Sequence, residues 1–157
     1  DERCVPPGHE RSNARLITER LLVDRASAAR FLPLYVESAA PEESIPQVEA
    51  VLTPELPLSV LVLGMGEDMH TASLFPGMPG LEAALASDAP ILAVARPDSQ
   101  PEARVTLTGP VLNGALSKHL LIFGSAKRAV LDSALGKPPE EAPIAGVLDG
   151  ITVHWAE

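Results

Sequence analysis

The sequence is poor in cysteine, in positive charge and in long apolar runs, and each shortage removes a class of protein. Its one cysteine, Cys4, cannot form a disulfide within the chain, and no secretory pattern is present, so we expect a reducing, cytoplasmic setting. Lys and Arg number 12 against 21 Asp and Glu, a net charge of −9 that argues against a nucleic-acid partner. The longest apolar runs, 57–63 and 120–123, are far shorter than the ~20 residues of a bilayer span, so we expect no membrane partner.

The apolar content is nevertheless sufficient for one folded domain. The chain has 157 residues, of which 46% are hydrophobic, and a chain of this length buries roughly two-thirds of its unfolded surface. Its 16 prolines cluster between segments of regular pattern, where they act as connectors. We therefore expect residues 1–157 to form a single domain.

Predicted helices and strands alternate along the chain. Ser12 is suited to cap an amphipathic helix over 13–31, and short apolar runs at 58–63 and 119–123 predict buried parallel strands. The other predicted elements are helices at 47–52, 81–86, 110–117 and 125–135 and strands at 90–95, 104–108 and 151–155. This alternation predicts an α/β fold with a mostly parallel sheet flanked by helices. In such sheets ligands bind beyond the carboxyl ends of strands.

The segment 64–77, directly after the first buried strand, has the composition of an acid–base site. A dinucleotide fingerprint needs glycine or alanine where Met69 stands, and the Gly-Lys-Ser/Thr of a P-loop is absent. What remains is a glycine-rich turn followed by the carboxylate of Asp68 and the imidazole of His70. Each residue also has a structural role open to it, since glycines make tight turns, Asp68 can cap a helix and His70 can pack.

Metal ligation at this segment is not expected. Glu67, Asp68 and His70 offer three ligand atoms, but no further histidine or cysteine lies at ligand spacing nearby.

Two other segments carry charged residues whose role the sequence leaves open. Lys127 and Arg128 fall in the first turn of a predicted helix, where cations oppose the helix dipole. A bound anion would resolve this conflict, and so would side chains that point into solvent. The opening residues 1–6 can be a solvated terminus, and nothing around Cys4 indicates a nucleophile.

Taken together, these segments resemble the glucosamine-6-phosphate isomerase/6-phosphogluconolactonase family. The resemblance rests on Asp-Glu-Arg-Cys-Val-Pro at 1–6, Leu-Gly-Met-Gly-Glu-Asp-Met-His-Thr-Ala-Ser-Leu-Phe-Pro-Gly at 63–77, Arg-Val-Thr-Leu-Thr at 104–108 and Gly-x-x-Lys at 124–127, and it runs nearly the whole chain. It implies a Rossmann-like three-layer sandwich of the sugar-phosphate isomerase/deaminase type. Related deaminases continue differently after the histidine, so residues 71–77 favour the lactonase branch.

By this resemblance the chain hydrolyses 6-phospho-D-glucono-1,5-lactone to 6-phosphogluconate in the oxidative pentose phosphate pathway, without metal or cofactor. His70 matches the general base that activates water, and Asp68 matches its supporting carboxylate. The positions that match substrate-binding residues of the family are Asp1, Arg3, Gly64, Gly66 and Lys127. The small-molecule sugar phosphate lactone is the one partner that this implies.

Two departures from the family pattern generate further expectations. The family usually has glycine where Met69 stands; if that position has a positive φ, Met69 strains the turn and shifts His70. The family also has a phosphate-binding Gly-Gly-Ser/Thr-x-Pro loop and the first strands of the sheet upstream of Asp-Glu-Arg, so we expect this chain to be the C-terminal part of a larger domain. Alternative functions are a non-catalytic sugar-phosphate-binding fragment and a related sugar-phosphate deaminase or isomerase. The sequence predicts no oligomeric state.

Overall fold

A computed structural model describes residues 1–157, and helices and strands alternate through most of the chain. The strands are β1 (Glu2–Arg3), β2 (Leu61–Leu63), β3 (Leu92–Ala95), β4 (Arg104–Leu107), β5 (Lys118–Phe123) and β6 (Ile151–Ala156). The α-helices are α1 (Asn13–Arg20), α2 (Pro41–Leu52), α3 (Leu81–Leu85), α4 (Gly109–Asn113) and α5 (Gly124–Ala134). Short 3-10 turns cover Asp24–Ala28, Thr53–Glu55 and Pro143–Val147.

The strands form two three-stranded sheets. In the first, β5 lies between β2 and β6, and both pairings are parallel, as the α/β prediction requires. In the second, β4 lies between β1 and β3, and both pairings are antiparallel. This second sheet was not predicted. Only residues 96–103 separate β3 from β4, too few for the crossover that parallel neighbours need, so the two strands form a hairpin.

The main core lies between the parallel sheet, α5 and the segment that follows β2. Leu61, Leu63, Leu120 and Ile122 point from the sheet into this core, and Leu131 of α5 packs with them. The segment after β2 adds Met65, Leu74, Phe75 and Met78 to the same cluster. Because these side chains are buried, the residues between them are held by the core rather than left as a free loop.

The other face of the parallel sheet is uncovered. Val62 is 61% exposed and Phe123 is 68% exposed, whereas their neighbours along each strand are buried. Residues 1–157 therefore cover this sheet on one face only. None of the five α-helices is long and apolar enough to cross a bilayer.

Several predicted boundaries were wrong for local reasons. The helix predicted over 13–31 ends at Arg20 and does not resume as an α-helix, since Val23 is extended and Asp24 adopts a φ of +49° that a right-handed helix does not accept. The helix predicted over 47–52 begins at Pro41, which is favoured at a first helical turn. The strand predicted over 58–63 forms ladder pairs only at Leu61–Leu63. The helix predicted over 110–117 covers Gly109–Asn113.

Candidate active site

The residues from Gly64 to Phe75, called here the site loop, begin where β2 ends and fold back on themselves. The N–H of Gly66 donates to the carbonyl of His70 at 2.9 Å, and the N–H of Met69 donates to the carbonyl of Gly66 at 3.1 Å. The N–H of Ile144 in turn donates to the carbonyl of Met69 at 3.1 Å. The turn is thus closed by its own hydrogen bonds and attached to the core.

Asp68 and His70 form a hydrogen-bonded pair at the tip of this turn. Nδ1 of His70 lies 2.5 Å from Oδ1 of Asp68, and the main-chain N–H of His70 donates to the same oxygen at 3.2 Å. With an ionised Asp68 as acceptor, Nδ1 carries the proton and Nε2 keeps a free lone pair. The His70 side chain is 27% exposed, so solvent reaches it.

Of the two glycines of the turn, only Gly66 is required by close packing. A Cβ at Gly66 would overlap the imidazole of His70 and the carboxylate of Asp68, so the pair packs directly on the glycine Cα. A Cβ at Gly64 would meet nothing within 4 Å. The carbonyl of Gly64 instead accepts a hydrogen bond from Oγ1 of Thr71 at 2.9 Å.

Met69 meets the condition under which we expected it to strain the turn. Its φ is +68°, in the left-handed region that disfavours a side chain. The Met69 side chain packs against the main core. The expected strain is present, yet the Asp68–His70 hydrogen bond forms.

Lys127 reaches the site loop from the first turn of α5. Its Nζ donates to the carbonyl of Met65 at 2.5 Å, and its side chain is half-buried. Arg128 is exposed, bonds to Asp132 at 3.2 Å and lies 5.9 Å from the ring centroid of Trp155. Of the two side chains that the sequence left open, Lys127 therefore turns toward the loop and Arg128 toward solvent.

Of the amino-terminal residues, Asp1 contacts the site loop and Arg3 does not. Oδ2 of Asp1 accepts from Oγ of Ser73 at 2.7 Å and lies 3.4 Å from Nη1 of Arg104, so Asp1 is joined to the site loop. Nη1 of Arg3 donates to the carbonyl of Arg11 at 2.7 Å and to Oδ1 of Asn13 at 3.0 Å. Arg3 makes no hydrogen bond to the site loop, and its buried Nε has no partner.

Sequence reasoning missed Phe75 and Arg104. The Phe75 ring stacks on the imidazole of His70 with centroids 4.2 Å apart and planes 22° from parallel. Cζ of Arg104 lies 5.4 Å from the same ring centroid. Arg104 is only 6% exposed, and this burial lowers the pKa of its guanidinium. The available signal was a charged residue at the start of a strand that is otherwise buried.

A cleft of about 470 Å³ opens beside Asp68 and Phe75. Its charged lining is Glu67, Asp68, Asp98, Glu141 and Lys137. Four carboxylates against one ammonium make this cleft unsuited to a phosphate group. No group of three or more His, Cys, Asp or Glu side chains is placed to hold a metal ion.

Comparison with known families decides what kind of protein this fold and site belong to. The family model described as glucosamine-6-phosphate isomerases/6-phosphogluconolactonase matches residues 1–155. The chain belongs to this family.

Relatives within the family support its lactonase branch. A 6-phosphogluconolactonase from Pseudomonas aeruginosa is 42% identical over 99% of this chain and 67% of its own length. The crystal structure of a 6-phosphogluconolactonase from Shewanella baltica superposes with a TM-score of 0.92 at 33% identity, covering 98% of this chain and 68% of the other. A putative 6-phosphogluconolactonase from Neisseria gonorrhoeae gives a TM-score of 0.85 at 33% identity, covering 99% and 71%. The chain spans about two-thirds of the length of these family members.

Proposed function

We propose that this chain hydrolyses 6-phospho-D-glucono-1,5-lactone to 6-phosphogluconate, with His70 as the general base. The observation that carries the proposal is the Asp68–His70 pair beyond the carboxyl end of β2, with Nδ1 bound to the carboxylate at 2.5 Å. Membership of the family and the lactonase names of its relatives support the choice of substrate.

The reaction needs a water molecule made nucleophilic and a place for its proton. Nε2 of His70 takes that proton as the water oxygen bonds to C1 of the lactone, which gives a tetrahedral oxyanion. The proton then passes from Nε2 to the ring oxygen as the bond between C1 and that oxygen breaks. Asp68 holds the ring in the required tautomer and stabilises the imidazolium that forms. General-base help of this kind contributes about 10²- to 10⁴-fold in rate.

Local cations have to attract a substrate that carries phosphate, because the chain as a whole carries −9. The Nζ of Lys127 uses one donor on the carbonyl of Met65, and an ammonium has three. Arg3 uses Nη1 internally and its unpaired Nε is buried, while its Nη2 donates to no group of the fold. We infer that Lys127 and Arg3 hold anionic oxygens of the substrate, as charge-assisted hydrogen bonds. In this proposal the remaining substrate-binding residues are Asp1, Gly64 and Gly66.

The proposal also covers the cofactor requirement and the cellular compartment. Water, imidazole and fixed charges suffice for lactone opening, so no metal or cofactor has a step to perform. The single half-buried Cys4 suits a reducing cytoplasm.

The test is the rate at which freshly generated lactone opens with and without the chain. We expect the chain to accelerate opening beyond the spontaneous rate and to release no ammonia from an amino sugar phosphate. Ammonia release would assign the chain to the deaminase branch. Binding of 6-phosphogluconate by calorimetry without any acceleration would make it a binding fragment and would contradict the proposal.

A further inference from the structure

Arg104 is a buried charged residue that has no role in the reaction proposed above. It opens β4 and is 6% exposed, and placing a guanidinium there requires removing it from water. Its partners are few: Nη2 donates to Oε1 of Gln100 at 2.6 Å, Nη1 lies 3.4 Å from Oδ2 of Asp1, and Nε has no partner. A buried ion pair of this length is a weak source of stability, so stability alone does not account for Arg104.

Arg104 also contacts the site loop. Its Cζ lies 5.4 Å from the centroid of the Phe75 ring, within the range of a cation–π interaction. Phe75 is 2% exposed and stacks on the imidazole of His70 at 4.2 Å. Arg104 and His70 are thus connected through a single aromatic ring.

The strand β4 holds the same loop at a second point. The N–H of Ser73 donates to Oγ1 of Thr106 at 3.1 Å, and Oγ of Ser73 donates to Asp1 at 2.7 Å. Asp1 also faces Arg104. Two residues of the site loop, Ser73 and Phe75, are therefore attached to the antiparallel sheet just beyond His70.

We propose that Arg104 and Phe75 are positioning residues for His70. Arg104 holds the Phe75 ring, and the ring fixes the plane of the imidazole so that Nδ1 meets Asp68 while Nε2 remains free for water. The hydrogen bond to Asp68 fixes one edge of the imidazole, and a stacked ring restricts rotation about that edge. This inference rests on the proposed lactonase function, and it predicts effects on the chemical step rather than on substrate binding.

Four variants separate positioning from a purely structural role. Arg104→Met removes the charge while keeping an unbranched side chain, Arg104→Lys keeps a cation, and Phe75→Leu removes the ring. Arg96→Met is the matched control, because Arg96 pairs with Glu42 on the surface, 52% exposed. The readouts are kcat and KM for the lactone, and the NMR ring-current shifts of the carbon-bound His70 ring protons.

We expect kcat to fall about 10- to 100-fold in Arg104→Met and Phe75→Leu, because a misplaced base slows proton transfer, and KM to stay within about twofold in Phe75→Leu. The ring-current shift of His70 should shrink in Arg104→Met, where the Phe75 ring is still present; in Phe75→Leu the readout is kcat alone, because the source of the shift is removed. Arg104→Lys should recover part of kcat, since an ammonium also binds an aromatic face. Arg96→Met should match the wild type in both readouts.

Either of two results would overturn the inference. One is an unchanged kcat in folded Phe75→Leu, or an unchanged kcat together with an unchanged ring-current shift in folded Arg104→Met. The other is a raised KM at constant kcat in Arg104→Met, which would make Arg104 a substrate-binding residue. If the wild type does not open the lactone, the proposed function fails, and the ring-current shifts alone still decide whether Arg104 positions His70.

Discussion

The two ends of the candidate site are built in different ways. Around His70 the functional groups contact one another: Asp68 bonds to the imidazole, and Gly66 lies directly beneath both side chains. At the amino-terminal residues 1–3 the charged groups are largely engaged by the fold. Glu2 is 5% exposed, and its carboxylate accepts from the N–H groups of Asn13 and Ala14 at the start of α1.

The difference shows that neighbouring residues of one sequence motif can have separate roles, one structural and one functional. Glu2 caps a helix, where a carboxylate is favoured by the free N–H groups and the helix dipole. Arg3, the next residue, uses Nη1 on the fold and leaves Nε unpaired. One three-residue motif thus contains a structural carboxylate beside the guanidinium that we assign to the substrate.

Gly66→Ala is expected to disrupt the contact between Asp68 and His70 most strongly. The new Cβ would overlap the ends of the Asp68 and His70 side chains, which can move aside, so we expect kcat to fall on the order of 10²-fold while the unfolding temperature changes little. Gly8→Ala is the matched control, since nothing lies within 4 Å of a Cβ there. Full activity in Gly66→Ala would mean that the Asp68–His70 contact is not needed.

Arg3→Met tests whether the amino-terminal end binds substrate. Loss of a charge-assisted hydrogen bond is worth about 1.5–3 kcal/mol, so we expect KM to rise roughly 10- to 100-fold with a smaller change in kcat. Steady-state kinetics with the lactone measure both. A loss of stability at constant KM would show that Arg3 serves only its contacts with Arg11 and Asn13.

Glu2→Gln should affect folding and leave the chemistry intact. The amide nitrogen that replaces one carboxylate oxygen would face N–H donors at the start of α1, so we expect a loss of about 1–2 kcal/mol in the free energy of unfolding. Denaturant titration measures this, and Glu10→Gln on the exposed surface is the control. A change in kcat/KM at constant stability would place Glu2 in the site.

Cys4 should have the smallest effect on activity. Burial raises the pKa of its thiol to about 11, so little thiolate exists at neutral pH. We expect slow alkylation in the folded chain, faster alkylation after denaturation, and unchanged hydrolysis in Cys4→Ser. Rapid alkylation of the native chain that abolishes hydrolysis would contradict this.

The sequence predicted the parts of the fold that depend on local pattern. Ser12 caps α1 by accepting from the N–H of Arg15 at 3.1 Å, and α5 ends before Gly136, whose φ is +83°. The antiparallel sheet was missed, because the apolar pattern of a short buried strand does not reveal the direction of its partner. Pro46 inside α2 hid the true start of that helix.

The same limit applies to the site. Asp68 and His70 are two residues apart, so local sequence already placed them near each other. The question of a positive φ at Met69 came only from the resemblance to a family that usually has glycine there. Arg104 is more than thirty residues from His70, and it meets Phe75 only because β4 passes beside the site loop. Such a long-range contact has no signature in the spacing of a single sequence.

The most direct test of the account compares lactone opening by the wild type, His70→Ala and the exposed-site control His9→Ala, each with and without added imidazole. We predict that acceleration is lost in His70→Ala, is partly restored by imidazole, and is unchanged in His9→Ala. Equal acceleration by His70→Ala and the wild type would contradict the assignment of His70 as the base.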